Sequence, residues 1–249
     1  MGACRIQYVL LLSLLGFSPC SDTLTCKEGT LVKFGQNFTK EPIEWIVNPT
    51  VSAGGDKTSC QETLLLIDVG EQSLMIGSKS PSKDPGVTQD FEMFAAGPGI
   101  IAASYVNVCN TDQCNKADST SVLLNKLSLS EYNEPGKLKC PACVSFKGSA
   151  CNHNSKRAPC PKETKCYASS LEVNGGGLST VFEIFGCLSS SSTFLFNNQT
   201  SIGIISIKEI LGSDTAISSS HVLVPSTLPA WMLGLWALSA LCLEGFVLC

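Results

Sequence analysis

The sequence predicts an all-β protein made of two small disulfide-stapled domains, and three observations carry that expectation. Ten cysteines lie between two apolar termini and fall into two blocks. The runs between them read as strands broken by turn residues. Outside the termini no stretch carries a convincing helical period.

The opening residues, MGACRIQYVLLLSLLGFSPCSDT, have the build of a secretory signal. Arg5 gives a positive start, Tyr8 to Phe17 form a short apolar run, and small residues follow. Ser18 and Cys20 suit the two positions that a signal peptidase inspects, so residues 1–20 are expected to leave, with cleavage before Ser21. The run is too short to span a bilayer of about 30 Å. Ile6 also stands where myristoylation at Gly2 would need Ser or Thr.

The carboxyl end, LPAWMLGLWALSALCLEGFVLC from Leu228, carries one charge, Glu244, and no basic flank. An apolar tail of this kind, preceded by small residues and a polar spacer of about 8–12 residues, is the pattern of a glycosylphosphatidylinositol (GPI) attachment signal. Ser218, Ser219 and Ser220 precede HVLVPST. Residues 213–218 are therefore expected to hold the attachment region and 219–249 the removed propeptide. Attachment is expected at Ser218, with Ser219 and Ser213 as alternatives. A transmembrane helix and a soluble tail are the rival readings, and Glu244 weakens the signal.

Of fourteen cysteines, Cys4 and Cys20 leave with the leader and Cys242 and Cys249 with the tail. The ten that stay are an even number, which in an oxidising compartment reads as a disulfide framework. Seventeen Lys and Arg against 21 Asp and Glu, with no basic run, exclude nucleic acid as a partner. The sequons NFT at Asn37 and NQT at Asn198 are expected glycosylation sites, whereas NPT at Asn48 is excluded by its proline.

Cys26, Cys60, Cys109 and Cys114 form the first block, and Cys140, Cys143, Cys151, Cys160, Cys166 and Cys187 the second. Domain 1 is accordingly expected over 21–116 and domain 2 over 138–212. NKADSTSVLLNKLSLSEYNEPGKLK between them supplies a linker over 117–137, although its leucines suit a last strand or short helix equally well. In the first block QETLLLIDV and SLMIGSK flank a polar turn, and GIIAASYVNV leads into Cys109. In the second, KCYASSLEV and LSTVFEIFGC flank NGGG, Asn174 to Gly177, a hairpin signal because Asn and Gly tolerate positive φ.

LKCPACVSFKGSACNHNSKRAPCPKETKCY, followed by Gly186-Cys187, resembles the lymphocyte-antigen-6/urokinase-receptor family of three-finger domains. CNTDQCN, Cys109 to Asn115, is similar to that family's closing signature, Cys-x4-Cys-Asn. The resemblance implies the pairings Cys26–Cys60, Cys109–Cys114, Cys140–Cys166, Cys143–Cys151 and Cys160–Cys187. It also implies that the Asn115 side chain clasps the backbone near Cys26. Closing the long first-domain loop stabilises by about 4 kcal/mol, and the small ring by about 2 kcal/mol.

The chain departs from the family pattern in two places. A further pair expected near Gly54 and Ser80 is missing, which predicts looser fingers around Val51 to Asp84, with SKSPSKDPG as a mobile loop. The second domain has no Cys-x4-Cys-Asn closure, so SIGIISIKEIL is expected to return unclasped.

Candidate chemistry is sparse. His153 stands in the polar loop CNHNSKRAPC with no nucleophile pattern around it, CPAC reads as structural disulfide rather than redox or zinc site, and GGG lacks the strand–helix context of a phosphate loop. No enzyme, cofactor or metal is expected. Function then lies in surfaces: the tip with Asn174 and Gly175, the segment with Phe194 and Phe196, and the segment with Phe91 and Phe94. Phe182 reads as core. The resemblance implies a GPI-anchored, glycosylated protein on the extracellular face of the membrane, in places shed. Its implied role is to assist maturation or display of sperm membrane proteins, with partners of metalloprotease-disintegrin type or another three-finger protein. The alternatives are a surface receptor or adhesion module for a soluble protease and a secreted two-domain enzyme inhibitor.

Overall fold

A computed structural model of the chain describes residues 23–129, 134–149, 151 and 157–212. The first module comprises β1 (Thr25–Lys27), β2 (Gly29–Gly35), β3 (Thr50–Ser52), β4 (Ser59–Asp68), β5 (Ser73–Ser82), β6 (Thr88–Ala96), β7 (Ile101–Cys109) and one helical turn, α1 (Ser121–Leu124). The second comprises β8 (Pro135–Pro141), β9 (Cys143–Phe146), β10 (Arg157–Pro161), β11 (Thr164–Gly175), β12 (Leu178–Ser189), β13 (Ser201–Ile202) and β14 (Ile205–Leu211). Each module holds a five-stranded antiparallel sheet, ordered β2-β5-β4-β7-β6 and β13-β14-β11-β12-β9. A two-stranded ladder stands beside each, β1–β3 and β8–β10.

The central strand of the first sheet explains its sequence. Leu64 and Leu66 of β4 face one cluster, with Leu31, Trp45, Met75 and Tyr105. Leu65 and Ile67 face the other way, into a second cluster that includes Ile76, Ile100, Leu171, Phe182, Ile184, Phe196 and Ile207. A strand buried on both faces needs an unbroken apolar run, which is why QETLLLIDV does not alternate. The second cluster draws on both sheets, so the modules pack face to face over one core.

Within the fingers around Val51 to Asp84, expected to be loose, residues 52 and 54–58 are exposed, but β4 and β5 are the most buried strands of the first module. Every residue of β4 and nine of ten in β5 are buried. Ser78–Ser82, expected in a mobile loop, belong to β5 and pair with Ser59–Thr63. Burial against the neighbouring module supplies here what the missing disulfide would have supplied. The linker expectation also needs correction. Ala117, Val122, Leu124 and Leu127 pack on the outer cluster beside the fully buried Leu123, so this stretch finishes the first module. Residues 43–47 cross the same face: Ile43 and Thr120 bond to each other in both directions, and Trp45 N donates to Asp118 O.

That outer face holds a buried charge pair. Lys79 Nζ lies 3.7 Å from Glu62 Oε2, donates to Ala117 O, and stands 4.3 Å from the centre of the Trp45 ring. Glu62 also accepts from Asn107 Nδ2 at 3.0 Å and from Ala117 N at 3.0 Å. Burial pulls the Lys79 ammonium below its usual range, and the Glu62 carboxylate opposes that pull. Removing one partner leaves the other charged and dry, at a cost of about 3–5 kcal/mol. Lys79→Met is therefore expected to lose about that much stability in chemical denaturation. The double variant Lys79→Met/Glu62→Gln should recover a substantial part of it. An additive double variant would show that the two side chains do not act as a pair.

Candidate partner-binding surface

Fingertips of each module meet the disulfide end of the other. Ile100 N, in the turn between β6 and β7, donates to Cys187 O at 2.8 Å. Gly99 makes that approach possible: a Cβ there would stand 2.1 Å from Cys187 O. In the other direction, the β11–β12 turn is made by Gly176 and Gly177, with φ of +57° and +82°. Ser78 of β5 donates its hydroxyl to Gly176 O at 2.5 Å, and Gly203 sits against Gln61 and Thr63. Asn174 and Gly175, expected at a free contact tip, therefore flank a turn docked on the first module. The turn itself lies two residues beyond Asn174, because both left-handed positions are taken by glycine.

Five disulfides fasten the ends: Cys26–Cys60, Cys109–Cys114, Cys140–Cys166, Cys143–Cys151 and Cys160–Cys187. The sulfurs of Cys140, Cys160 and Cys187 lie within 4.8 Å of one another. Each is oxidised in a disulfide, so none offers a thiolate to a metal. Asn115 is fully buried. Its Oδ1 accepts from Lys27 N at 3.0 Å, and its Nδ2 donates to Lys27 O at 2.8 Å and Gln61 O at 3.2 Å. Asp112 Oδ1 accepts from Thr25 N at 2.8 Å, so the small ring grips β1 along its length.

The second module has a clasp of another kind, where the sequence suggested none. Glu209 of β14 accepts from Tyr167 Oη and from the backbone N–H of Leu195 at 2.7 Å and Phe196 at 3.0 Å. Burial and the Glu209 charge hold the Tyr167 phenol well above its usual range, so it stays a donor. The carboxylate thereby fixes the segment that drives Phe196 into the shared core.

The aromatic candidates divide accordingly. Phe196 is fully buried and meets Phe94 edge-on at 5.2 Å, while Phe91 packs on the outer cluster and Phe194 is half-buried. Phe94 and Phe196 thus belong to the core between the modules and Phe91 to the outer cluster, so these three do not form the free contact patches expected of them. Phe182 is core. Sequence reasoning missed Phe34 on β2 and Phe146 on β9, which are 37% and 44% exposed. Their rings meet at 5.0 Å; Phe146 stacks on Phe182 and Phe34 meets it tilted, so the shared core opens to solvent at the β2/β9 edge. A clue lay in KFG and SFKG, single aromatics beside Lys and Gly at strand ends, but nothing in the sequence joins the two.

At the opposite edge, β6 and residues 198–204 enclose an open polar groove of about 670 Å³. Asn198 lies on its rim, and both Asn198 and Asn37 are exposed with φ of +62°. Residues 1–20, the linker segment 130–133, His153, Ser213, Ser218, Ser219 and the tail 219–249 lie outside the described residues. Among the described residues no helix is long and apolar enough to cross a membrane.

Paired β modules, each stapled at one end and sending out fingers from it, define a three-finger protein. Residues 136–214 match the u-PAR/Ly-6 domain. The chain is 33% identical to mouse testis-expressed protein 101 over 84% of its own length and 83% of that protein's. It is 38% identical to mouse CD177 antigen over 89% of the chain, and spans 28% of that relative's length. It is 26% identical to mouse Ly6/PLAUR domain-containing protein 4 over 87% of the chain and 89% of that relative. A crystal structure of mouse TEX101 superposes with a TM-score of 0.64 at 27% identity, covering 76% of this chain and 97% of that one. The chain belongs to the u-PAR/Ly-6 family, whose proteins bind other proteins at the cell surface, and it is non-enzymatic.

Replacing Asn115 with Ala leaves Lys27 N and two carbonyls dry and unpaired. The Asn115→Ala variant is expected to lose about 2–4 kcal/mol, read as a lower denaturation midpoint and reduced secretion. An unchanged midpoint would mean that water replaces the side chain.

Proposed function

We propose that the protein is a GPI-anchored, glycosylated, non-enzymatic binding protein that assists maturation or display of sperm membrane proteins at the cell surface. The observation that carries the binding part is the exposed Phe34–Phe146 pair, formed only where the two modules meet. Aromatic side chains at a solvent edge, backed by a rigid core, are the usual anchors of protein contacts. The germ-cell setting is supported by the similarity to testis-expressed protein 101 along most of both chains. Metalloprotease-disintegrin proteins or another three-finger protein are the proposed partners. Leader cleavage before Ser21, lipid attachment near Ser218 and glycans on Asn37 and Asn198 complete the reading. A second reading, a surface antigen of another setting, is favoured by the 38% identity to CD177 antigen, of which the chain spans 28%.

Crosslinked affinity capture from testicular germ cells should recover membrane proteins of the disintegrin type. Phe34→Ser/Phe146→Ser should reduce that recovery by at least about fivefold, with secretion unchanged. Recovery of only a soluble enzyme would favour a receptor or inhibitor. Phosphatidylinositol-specific phospholipase should release the protein from cells, and protein that stays put after treatment would rule out the lipid anchor.

A further inference from the structure

The groove between β6 and residues 198–204 has a one-sided chemistry. Among the described residues no Lys, Arg or His lines it, whereas Asp84, Asp90 and Glu92 do. Asp90 and Glu92 stand two apart on β6, so their carboxylates share one face, about 7 Å apart along the strand. The Asp84 carboxylate accepts from the nearby Gly86 N at 2.9 Å, and Glu92 accepts from Gln199 Nε2 at 2.7 Å across the groove. The Asp90 carboxylate has no hydrogen-bond or ion-pair partner among the described residues.

The floor adds an independent sign. Ser104 on β7 is 3% exposed and lines the groove, and its hydroxyl has no partner among the described residues. That hydroxyl opens into the groove, where it is free to bond an incoming chain. Beside it, β6 is the edge of its sheet and pairs only with β7 among the described residues. An edge strand carries unpaired N–H and C=O groups along its open side, a template for one more strand.

We propose that this groove and the β6 edge take an extended, basic segment of a partner protein. The segment adds as a sixth strand, and its alternate Lys or Arg side chains lie against Asp84, Asp90 and Glu92. Alternate residues of an extended chain recur at the same spacing as Asp90 and Glu92, so two cations meet two carboxylates in register. The proposal rests on the reading of this protein as a binding module. It names a second surface, on the edge opposite Phe34 and Phe146.

The test uses protein purified in detergent from cells expressing the full chain, and a fluorescent ten-residue peptide of alternating lysine and threonine. A peptide of alternating glutamate and threonine is the control. Saturable polarisation at about 50 mM salt is expected for the basic peptide and none for the acidic one, with affinity falling as salt rises. Asp90→Asn/Glu92→Gln should weaken binding at least about tenfold. Glu28→Gln/Glu41→Gln, a pair of exposed acids outside the groove, should change it less than about twofold. No binding, or equal losses in both pairs, would overturn the proposal. So would binding that emerges only in Asn198→Gln, since the groove would then be the seat of that residue's glycan. None of these outcomes depends on the germ-cell capture, so either reading can fail alone.

Discussion

Burial of Leu65, Ile67, Leu74 and Ile76 against Leu171, Phe182, Ile184 and Ile207 is the interaction on which the rest of the molecule depends. Burying each such side chain fully is worth about 1.5–3 kcal/mol, and a module of about 100 residues has too little interior of its own to be generous with that sum. Two open sheets laid face to face give each the layer it lacks. The disulfides work where this core does not reach, at the ends of the strands, and Asn115 and Glu209 close the remaining gaps with hydrogen bonds. Each clasp holds a segment that would otherwise peel from the sheet edge.

Packing fingertips against disulfide ends redistributes what is available for binding. The turns that contain Gly99, Gly176 and Gly203 are occupied by the neighbouring module. Two long edges of the sandwich stay open, one apolar around Phe34 and Phe146, the other acidic around Asp90 and Glu92. The change of character follows β4 itself. Leu65 and Ile67 lie under the second sheet, and Gln61 and Thr63, on the same face, lie under Gly203, with Gln61 reaching the wall of the groove. One strand thus writes both the glue and the groove.

The all-β class and the two modules were legible because cysteine spacing, turn residues and strand-like runs are local signals. The packing between modules was not, since no local pattern says which face of a strand meets a partner far along the chain. QETLLLIDV carried the hint: a run without alternation means burial on both sides, and a lone small domain could not have provided that. The same blindness hid the ends of the first module. SVLL looked like linker because one helical turn has too few residues to show a period, and its Leu123 is fixed by Trp45 and Tyr105 rather than by its neighbours. Phe94 and Phe196 looked like surface candidates because aromatic content alone does not distinguish a contact patch from an interior. Phe34 and Phe146 are over a hundred positions apart, so only the folded chain makes them a pair.

The head-to-tail arrangement also sets an orientation. Gly212, the last described residue, leaves beside Ala168, to whose carbonyl it donates at 2.9 Å, close to the disulfide end of the second module. The Asn115 end of the first module lies at the far end of the two-module body from that point. The acidic groove therefore reaches toward the end remote from the chain's exit, whereas the turn around Gly99 lies on the same side as that exit, against Cys187.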